Sequence, residues 1–423
     1  MRHTCAPSRS TPWFAALSFF AVACVGPYPA RAQSNVLFER IPRTVVATAD
    51  AAADPEQRRQ LDTLRRSPTT ASLELVRINV EALRAPTAAM ALDAAPVEAV
   101  RRNLVARSSK DFSWFGEFPG IRGQANLVVQ GGEVTGSVRD GANLYSIVPI
   151  GDGAHALIKV DPSRFPPDHP PDFRQVEKRA NELTAPAAAE DAPANDTART
   201  RIDVLVSYTG AAKAARRDIE AMIQLAVDAA NTSYQNSGIN IDLRLAGTLQ
   251  VSYSEVGKSW ETINSDQETG SDSSLVQVRQ QRDALGADLV ALIIDKSDAC
   301  GRGDAILATA NTAYAAVHYD CAVDNYSFAH ELGHLQGARH DPAMDSDTRP
   351  FSYGHGHVNG MSWRTVMAYA DACRPCPTCT ACPRLQYWSN PNVLYGGVPM
   401  GTAAVSDNAR VLNQTRATIA GFR

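Results

Sequence analysis

The stretch His330–Asp341, reading His-Glu-Leu-Gly-His-Leu-Gln-Gly-Ala-Arg-His-Asp, constrains this chain more than any other. His330 and His334 are four residues apart, so on a helix they stack one turn above the other on a single face. Two imidazoles so placed form half of a metal site. Glu331 is rotated off that face by one residue step, near enough to take a proton from a water at the metal without ligating the metal itself. Gly337 has no Cβ and can break the helix through a left-handed conformation, returning His340 as a third ligand. Three protein ligands leave a fourth position open, the arrangement of a catalytic zinc site and not of a structural one. An amphipathic helix with a surface ion pair accounts for His330–His334 alone, but not for the phased Gly337 and His340.

At 423 residues the chain is long enough for two folded units joined by a linker, each with its own core. Its net charge of -4 argues against a nucleic-acid partner. The N-terminus carries Arg2, His3 and Arg9, then the apolar run Trp13–Val25, then Ala30-Arg31-Ala32. That order reads as a signal peptide over residues 1–32, too short in its apolar part to span a bilayer. The expectation is therefore export, to the periplasm or the outside, with no stable membrane insertion. Lipid anchoring at Cys24 is the lesser alternative, since Ala21-Val22-Ala23-Cys24 lacks a large aliphatic start. Past the leader six cysteines remain, Cys300, Cys321, Cys373, Cys376, Cys379 and Cys382, an even number suited to disulfides in an oxidising compartment.

Residues 33–182 divide into an Ala- and Arg-rich support segment, with helical patches such as Pro96–Leu104, and a β-rich part at about 111–170. Alternating apolar runs there are punctuated by Gly131-Gly132, Asp140-Gly141 and Gly151-Asp152-Gly153, which are hairpin signals. Residues 183–200 are mostly Ala, Pro, Thr, Asp and Glu and read as a linker exposed to cleavage. Beyond it the order is strand Ile202–Tyr208, helix Ala211–Tyr234, strand Ile239–Leu245, helix Ser274–Leu285 and buried strand Ala287–Ile294. Two more strands, Ala305–Thr309 and Ala313–Tyr319, lead to a metal helix at about Asn325–Gln336. The class is α/β.

Residues 201–423 resemble a reprolysin-like metzincin, and within that clan the bacterial peptidyl-Asp metallopeptidases, the Asp-N type of endopeptidase. The resemblance rests on His330–Asp341, on Arg364–Tyr369 as the Met-turn, and on Cys382-Pro383-Arg384, Trp388-Ser389-Asn390-Pro391 and Asp407-Asn408-Ala409-Arg410. It implies an α/β (α+β) catalytic domain with a mixed twisted sheet and a zinc-binding helix, preceded by a small β-rich pro-domain. It also implies a secreted zinc-dependent endopeptidase, made as a zymogen, that acts on proteins or peptides on the N-terminal side of Asp. Two alternatives stand beside it, a metalloprotease without Asp preference and a catalytically silent exported binding module.

On this reading one Zn2+ is held by His330, His334 and His340, which lowers the pKa of water there to about 7. Glu331 is the general base, and Met367 is the structural floor of the site. Tyr369 either stabilises the developing oxyanion or is a buried tyrosine bonded to backbone. Asp341 is read as bracing its loop, and His355 and His357 as a loop pair near the cleft in preference to a second metal site. An extended substrate would lie along the edge strand, with Ala305–Thr309 as the candidate. An Asp pocket needs a cation, for which Arg384 and Arg374 are the first candidates and Arg364 the third. Cys300 pairs with Cys321. Cys373, Cys376, Cys379 and Cys382 read first as two disulfides of undetermined pairing, with a four-cysteine zinc site or an iron–sulfur cluster as alternatives. No cysteine lies between Cys24 and Cys300, so no pro-region thiolate can cap the metal. Asp152 and His169 are the candidates for that position, each against an ordinary turn role. Glu190-Asp191 and Asn195-Asp196 are candidate self-cleavage bonds.

Overall fold

Alternation along nine short strands builds the first half of the chain. In this computed structural model, which describes residues 35–42, 54–93, 95–141, 143–183, 198–373 and 382–423, they form one antiparallel sheet. The leader with Cys5 and Cys24, most of the linker with its two candidate cleavage bonds, and Arg374, Cys376 and Cys379 lie outside the described residues. The strands are β1 (Phe38–Arg40), β2 (Thr70–Ile78), β3 (Thr87–Met90), β4 (Val97–Ala106), β5 (Phe112–Phe118), β6 (Gly123–Gln130), β7 (Glu133–Asp140), β8 (Asn143–Gly151) and β9 (Ala154–Val160). Their order is β1-β2-β9-β8-β7-β6-β5-β4-β3. The two ends meet, because Leu37 N donates to Ala89 O and Ala89 N donates to Asn35 O, so the sheet closes on itself.

Sheet begins well before residue 111, which corrects the reading of the support segment. Pro96–Leu104 is not helical: it runs into β4, paired with β5 from Val100↔Glu117 to Ala106↔Phe112. A long ladder outweighs the helix preference of Ala and Arg there. Helix α1 (Pro55–Arg66) covers one face with Leu61 and Leu64. After β9 the chain passes through Pro166–Pro171 into helix α2 (Arg174–Ala180).

The second half has a five-stranded sheet of order β11-β10-β12-β14-β13, from β10 (Thr200–Thr209), β11 (Ile241–Val251), β12 (Leu289–Ile294), β13 (Gly301–Gly303) and β14 (Tyr314–His318). All its pairs are parallel except β13 with β14. The continuous apolar run of β12 has a simple cause. Leu289, Ala291 and Ile293 face one core while Val290, Leu292 and Ile294 face another, so both sides are dry. The expected helix Ala211–Tyr234 is two, α3 (Gly210–Ala215) and α4 (Ile219–Asn236). Helices α5 (Trp260–Thr269) and α6 (Val276–Leu285) bury Trp260, Ile263 and Val278 on the Val290 face. The metal helix α7 (Ser327–Leu335) and the C-terminal α8 (Asn408–Ile419) join α4 on the other face.

The edge strand is not Ala305–Thr309. Leu307 has a φ of 62°, outside strand geometry, and Leu307 N and Ala308 N donate to His334 O and Leu335 O at the end of α7. The edge is β13. Val128 of β6 enters the same core as α4 and β10, and Asn35–Arg423 is one compact unit. Among the described residues no helix is long and apolar enough to cross a membrane.

Candidate active site

Helix α7 ends where the sequence says it must, since Gly337 takes a φ of 105° and sends the chain back toward the helix face. His330, His334 and His340 then converge, with Nε2–Nε2 distances of 3.1, 2.9 and 3.3 Å. Each Nδ1 faces an acceptor: Val366 O for His330, Ala338 O for His334 and Glu177 Oε1 for His340, all at 2.9 Å. An acceptor at Nδ1 requires the proton there, so three Nε2 lone pairs point at one another. That arrangement is repulsive alone and would be relieved by a cation held among the three. Burial pushes all three imidazoles well below their ordinary pKa, which favours the neutral form in which an imidazole can bind a metal.

A fourth imidazole belongs to the cluster. His169 lies within 4.8 Å of the other three, ligand atom to ligand atom. Its ring stacks on Phe173 with centroids 3.8 Å apart, and its nitrogens meet Tyr369 Oη at 2.5 Å and Glu331 Oε2 at 3.1 Å. Asp152 is elsewhere, exposed and accepting from Gln57 Nε2.

Glu331 is fully buried, and its Oε2 accepts from Gly303 N of β13 at 2.6 Å. Burial raises its pKa. Tyr369 stacks on His340 with centroids 4.4 Å apart, while its backbone N donates to Asp341 Oδ2. Asp341 thus braces the turn by backbone bonds, as expected. His355 Nδ1 donates to His340 O, and His357 packs on Trp363; neither joins a metal cluster among the described residues.

Met367 is fully buried under α7. A Cβ at Gly333 would lie 2.4 Å from the Trp388 ring and 3.1 Å from Met367 Sδ, so this glycine lets the helix sit on its floor. Gly333→Ala is expected to lower stability by about 1–2 kcal/mol, overpacking outweighing the gain in helix propensity. Urea unfolding checks it, and an unchanged midpoint would show that the floor yields freely.

The arginines divide. Arg384 is 4% exposed, and its guanidinium donates to Asn325 O at 2.9 Å, to Ala368 O at 3.0 Å and to Asp168 Oδ2 at 2.6 Å. Arg364 is also buried, donating to Ala368 O, with its charge acting on Asp168. Burial alone would push the Asp168 carboxyl up, but the Arg384 guanidinium holds it well below the usual range. Asn325 Nδ2 completes the cradle at Asp168 Oδ1, 3.1 Å away. The segment carrying Asp168 lies on the sheet edge: Cys300 N donates to Pro167 O and Gly301 N to Asp168 O.

Cys300 and Cys321 form the expected disulfide, tying the start of β13 to the loop before α7. Cys373 pairs with Cys382, which removes two of the four thiolates that a four-cysteine zinc site or a cluster needs.

Asp168, Phe173, Glu177 and Asn325 belong to the site without having been read from the sequence. The available signal was the run Pro166-Pro167-Asp168-His169-Pro170-Pro171, prolines holding an Asp-His pair in extended backbone. It reads equally as the end of a domain.

Convergent imidazoles beside a buried carboxylate, on a sheet edge able to hold an extended chain, define a metal-dependent peptidase. Residues 198–389 match the metallo-peptidase family M12. A peptidyl-Asp metalloendopeptidase of Stenotrophomonas maltophilia (strain K279a) is 40% identical over 419 residues, covering 93% of this chain and 95% of its own. One of Xanthomonas campestris pv. campestris is 39% identical, covering 89% of this chain and 91% of its own. One of Pseudomonas fragi is 51% identical over 126 residues, covering 29% of this chain and 74% of its own. The chain belongs to the family of these relatives and is a metalloendopeptidase, with protein or peptide chains as substrates. The reading as a silent binding module is set aside.

Proposed function

We propose that this protein is an exported zinc endopeptidase, made as an inactive precursor, that cuts peptide bonds on the N-terminal side of Asp. The observation that carries the Asp preference is the buried Arg384, whose guanidinium meets a carboxylate oxygen at 2.6 Å in a cradle completed by Asn325. A buried guanidinium deprived of its carboxylate is costly, so the pocket favours a substrate that brings one. The relatives named for peptidyl-Asp cleavage support the same reading. In this scheme residues 201–423 are the metzincin-type catalytic domain and residues 33–182 the pro-region. The leader-like N-terminus and the two disulfides favour export.

His330, His334 and His340 would hold the zinc ion. Tetrahedral zinc with bonds of about 2.0–2.1 Å separates its nitrogens by about 3.3 Å, close to the spacings found. When bound, zinc supplies Lewis acidity that activates water and polarises a carbonyl. Glu331 accepts the proton of the attacking water and returns it to the leaving amine. The Tyr369 hydroxyl donates to the carbonyl oxygen as charge develops there. Backbone N–H groups of residues 300 and 301 align the peptide, and Arg384, with Arg364 behind it, receives the Asp carboxylate.

Digestion of a denatured protein by the trimmed enzyme, with and without a zinc chelator, tests this, each new N-terminus being mapped by mass spectrometry. The expected result is chelator-sensitive cuts concentrated before Asp. Cuts before apolar residues would leave a metallopeptidase and discard the Asp pocket.

A further inference from the structure

We propose that Asp168 and His169 form a two-point lock that keeps the uncut chain inactive, the Asp168 carboxylate filling the substrate's carboxylate pocket while the His169 imidazole takes the open position on the metal. The proposal rests on the reading of this site as an Asp-directed metallopeptidase and adds how it is regulated.

Three observations converge on it. The first is position: the lock segment takes two backbone hydrogen bonds from the sheet edge, Cys300 N to Pro167 O at 2.8 Å and Gly301 N to Asp168 O at 3.1 Å. An extended substrate needs those same donors. The second is chemistry at both contact points. Asp168 is the ion-pair partner of Arg384, and the next residue puts an imidazole, a metal ligand by nature, against the three converging histidines. The group brought to the metal is therefore a ring and not a peptide carbonyl, so the segment occupies the site without offering a bond to cut. His169 Nδ1 lies 2.5 Å from Tyr369 Oη, and the ring stands beside Glu331, so it screens from substrate the two other groups that would act on it.

The third observation is how firmly the segment is fixed. Pro166, Pro167, Pro170 and Pro171 restrict the backbone on either side, so little conformational entropy is lost on docking. Phe173 backs the His169 ring and joins Val176, Ala180 and Ile306 in a small apolar cluster. Glu177 holds His340 Nδ1, and Arg339 donates to Glu177 O and Asn181 Oδ1. The lock is thus carried by the chain just before residues 183–200, and a cut there frees its C-terminal end.

The test uses the full chain with Glu331→Gln, so that it stays uncut, loaded with zinc or cobalt(II). Binding of a fluorescent peptide containing one Asp is followed by anisotropy. The parent should not bind it, and the added pair Asp168→Ala and His169→Ala should open binding, at least tenfold weaker when the peptide carries Asn instead. Asp168→Asn with His169→Gln, closer in size, repeats the test should the alanine pair unfold. The cobalt(II) absorption should shift on His169→Gln alone, as one nitrogen ligand is lost. Peptide exclusion persisting in both double variants, or a spectrum indifferent to His169, would overturn the lock. Binding that opens but ignores Asp against Asn would uphold the lock and count against the Asp-directed reading instead.

Discussion

Replacing Arg384 with alanine in the trimmed enzyme is expected to lower kcat/KM on Asp-containing peptides by about two to three and a half orders of magnitude, while cleavage of peptides with Asn at that position hardly changes. The magnitude follows from burial. With the Asp168 segment in place Arg384 is 4% exposed, and its bonds to the carbonyls of Asn325 and Ala368 hold the guanidinium where a carboxylate meets it. Removing one partner of a buried charge pair costs about 3–5 kcal/mol, because the other is left desolvated. In the variant the stranded charge is the substrate's own carboxylate. Arg384→Lys should fall between, keeping the charge but not the fork that spans a carboxylate and two carbonyls. Arg364→Ala should cost less, since its guanidinium bonds Ala368 O and Cys382 O and its charge acts on Asp168 from behind Arg384. The measurement is kcat/KM on paired Asp and Asn peptides. An unchanged ratio in Arg384→Ala would move the pocket elsewhere, with Arg374, outside the described residues, next to be tested.

Helix α7 and the convergence of its imidazoles with His340 were legible because residue type and spacing act together: His330 and His334 share a face, and Gly337 turns the chain so that His340 returns to it. Strand β12 was legible because a run buried on both faces has no polar alternation to misread. The edge strand was not. Gly301-Arg302-Gly303 has no strand preference, and at Gly301 a Cβ would stand 2.6 Å from Glu331 Oε1, so close approach and not propensity chose the residue. Asp168 and Asn325 escaped notice for a different reason. Asp168 is 216 positions from Arg384, and nothing local to either announces the other. His169 and Asp152 could both be nominated from residue type alone, and only the fold places His169 against His330, His334 and His340 while Asp152 lies elsewhere. The Ala- and Arg-rich segment misled by composition: its strands are held by partners along the sheet, not by their own preference.

Glu331→Gln is expected to lower kcat by about 10²–10⁴-fold while leaving one metal ion per chain. Glutamine has nearly the shape of glutamate, and its carbonyl oxygen can still accept from Gly303 N, so β13 keeps its place beside α7. The side chain does not hold a proton acceptor of useful basicity. The imidazole Nδ1 protons that orient His330 and His334 go to Val366 O and Ala338 O, both within residues 201–423 and neither touched by the substitution. Metal content and turnover are accordingly expected to respond separately to the substitution. Elemental analysis beside kcat tells the two apart: loss of both would assign Glu331 to holding the site together. The same variant decides how the precursor matures. If the enzyme cuts itself before Asp191 and Asp196, the variant purified without other proteases stays full length. Trimming at those bonds despite the substitution would mean that another protease releases the Asp168–His169 segment.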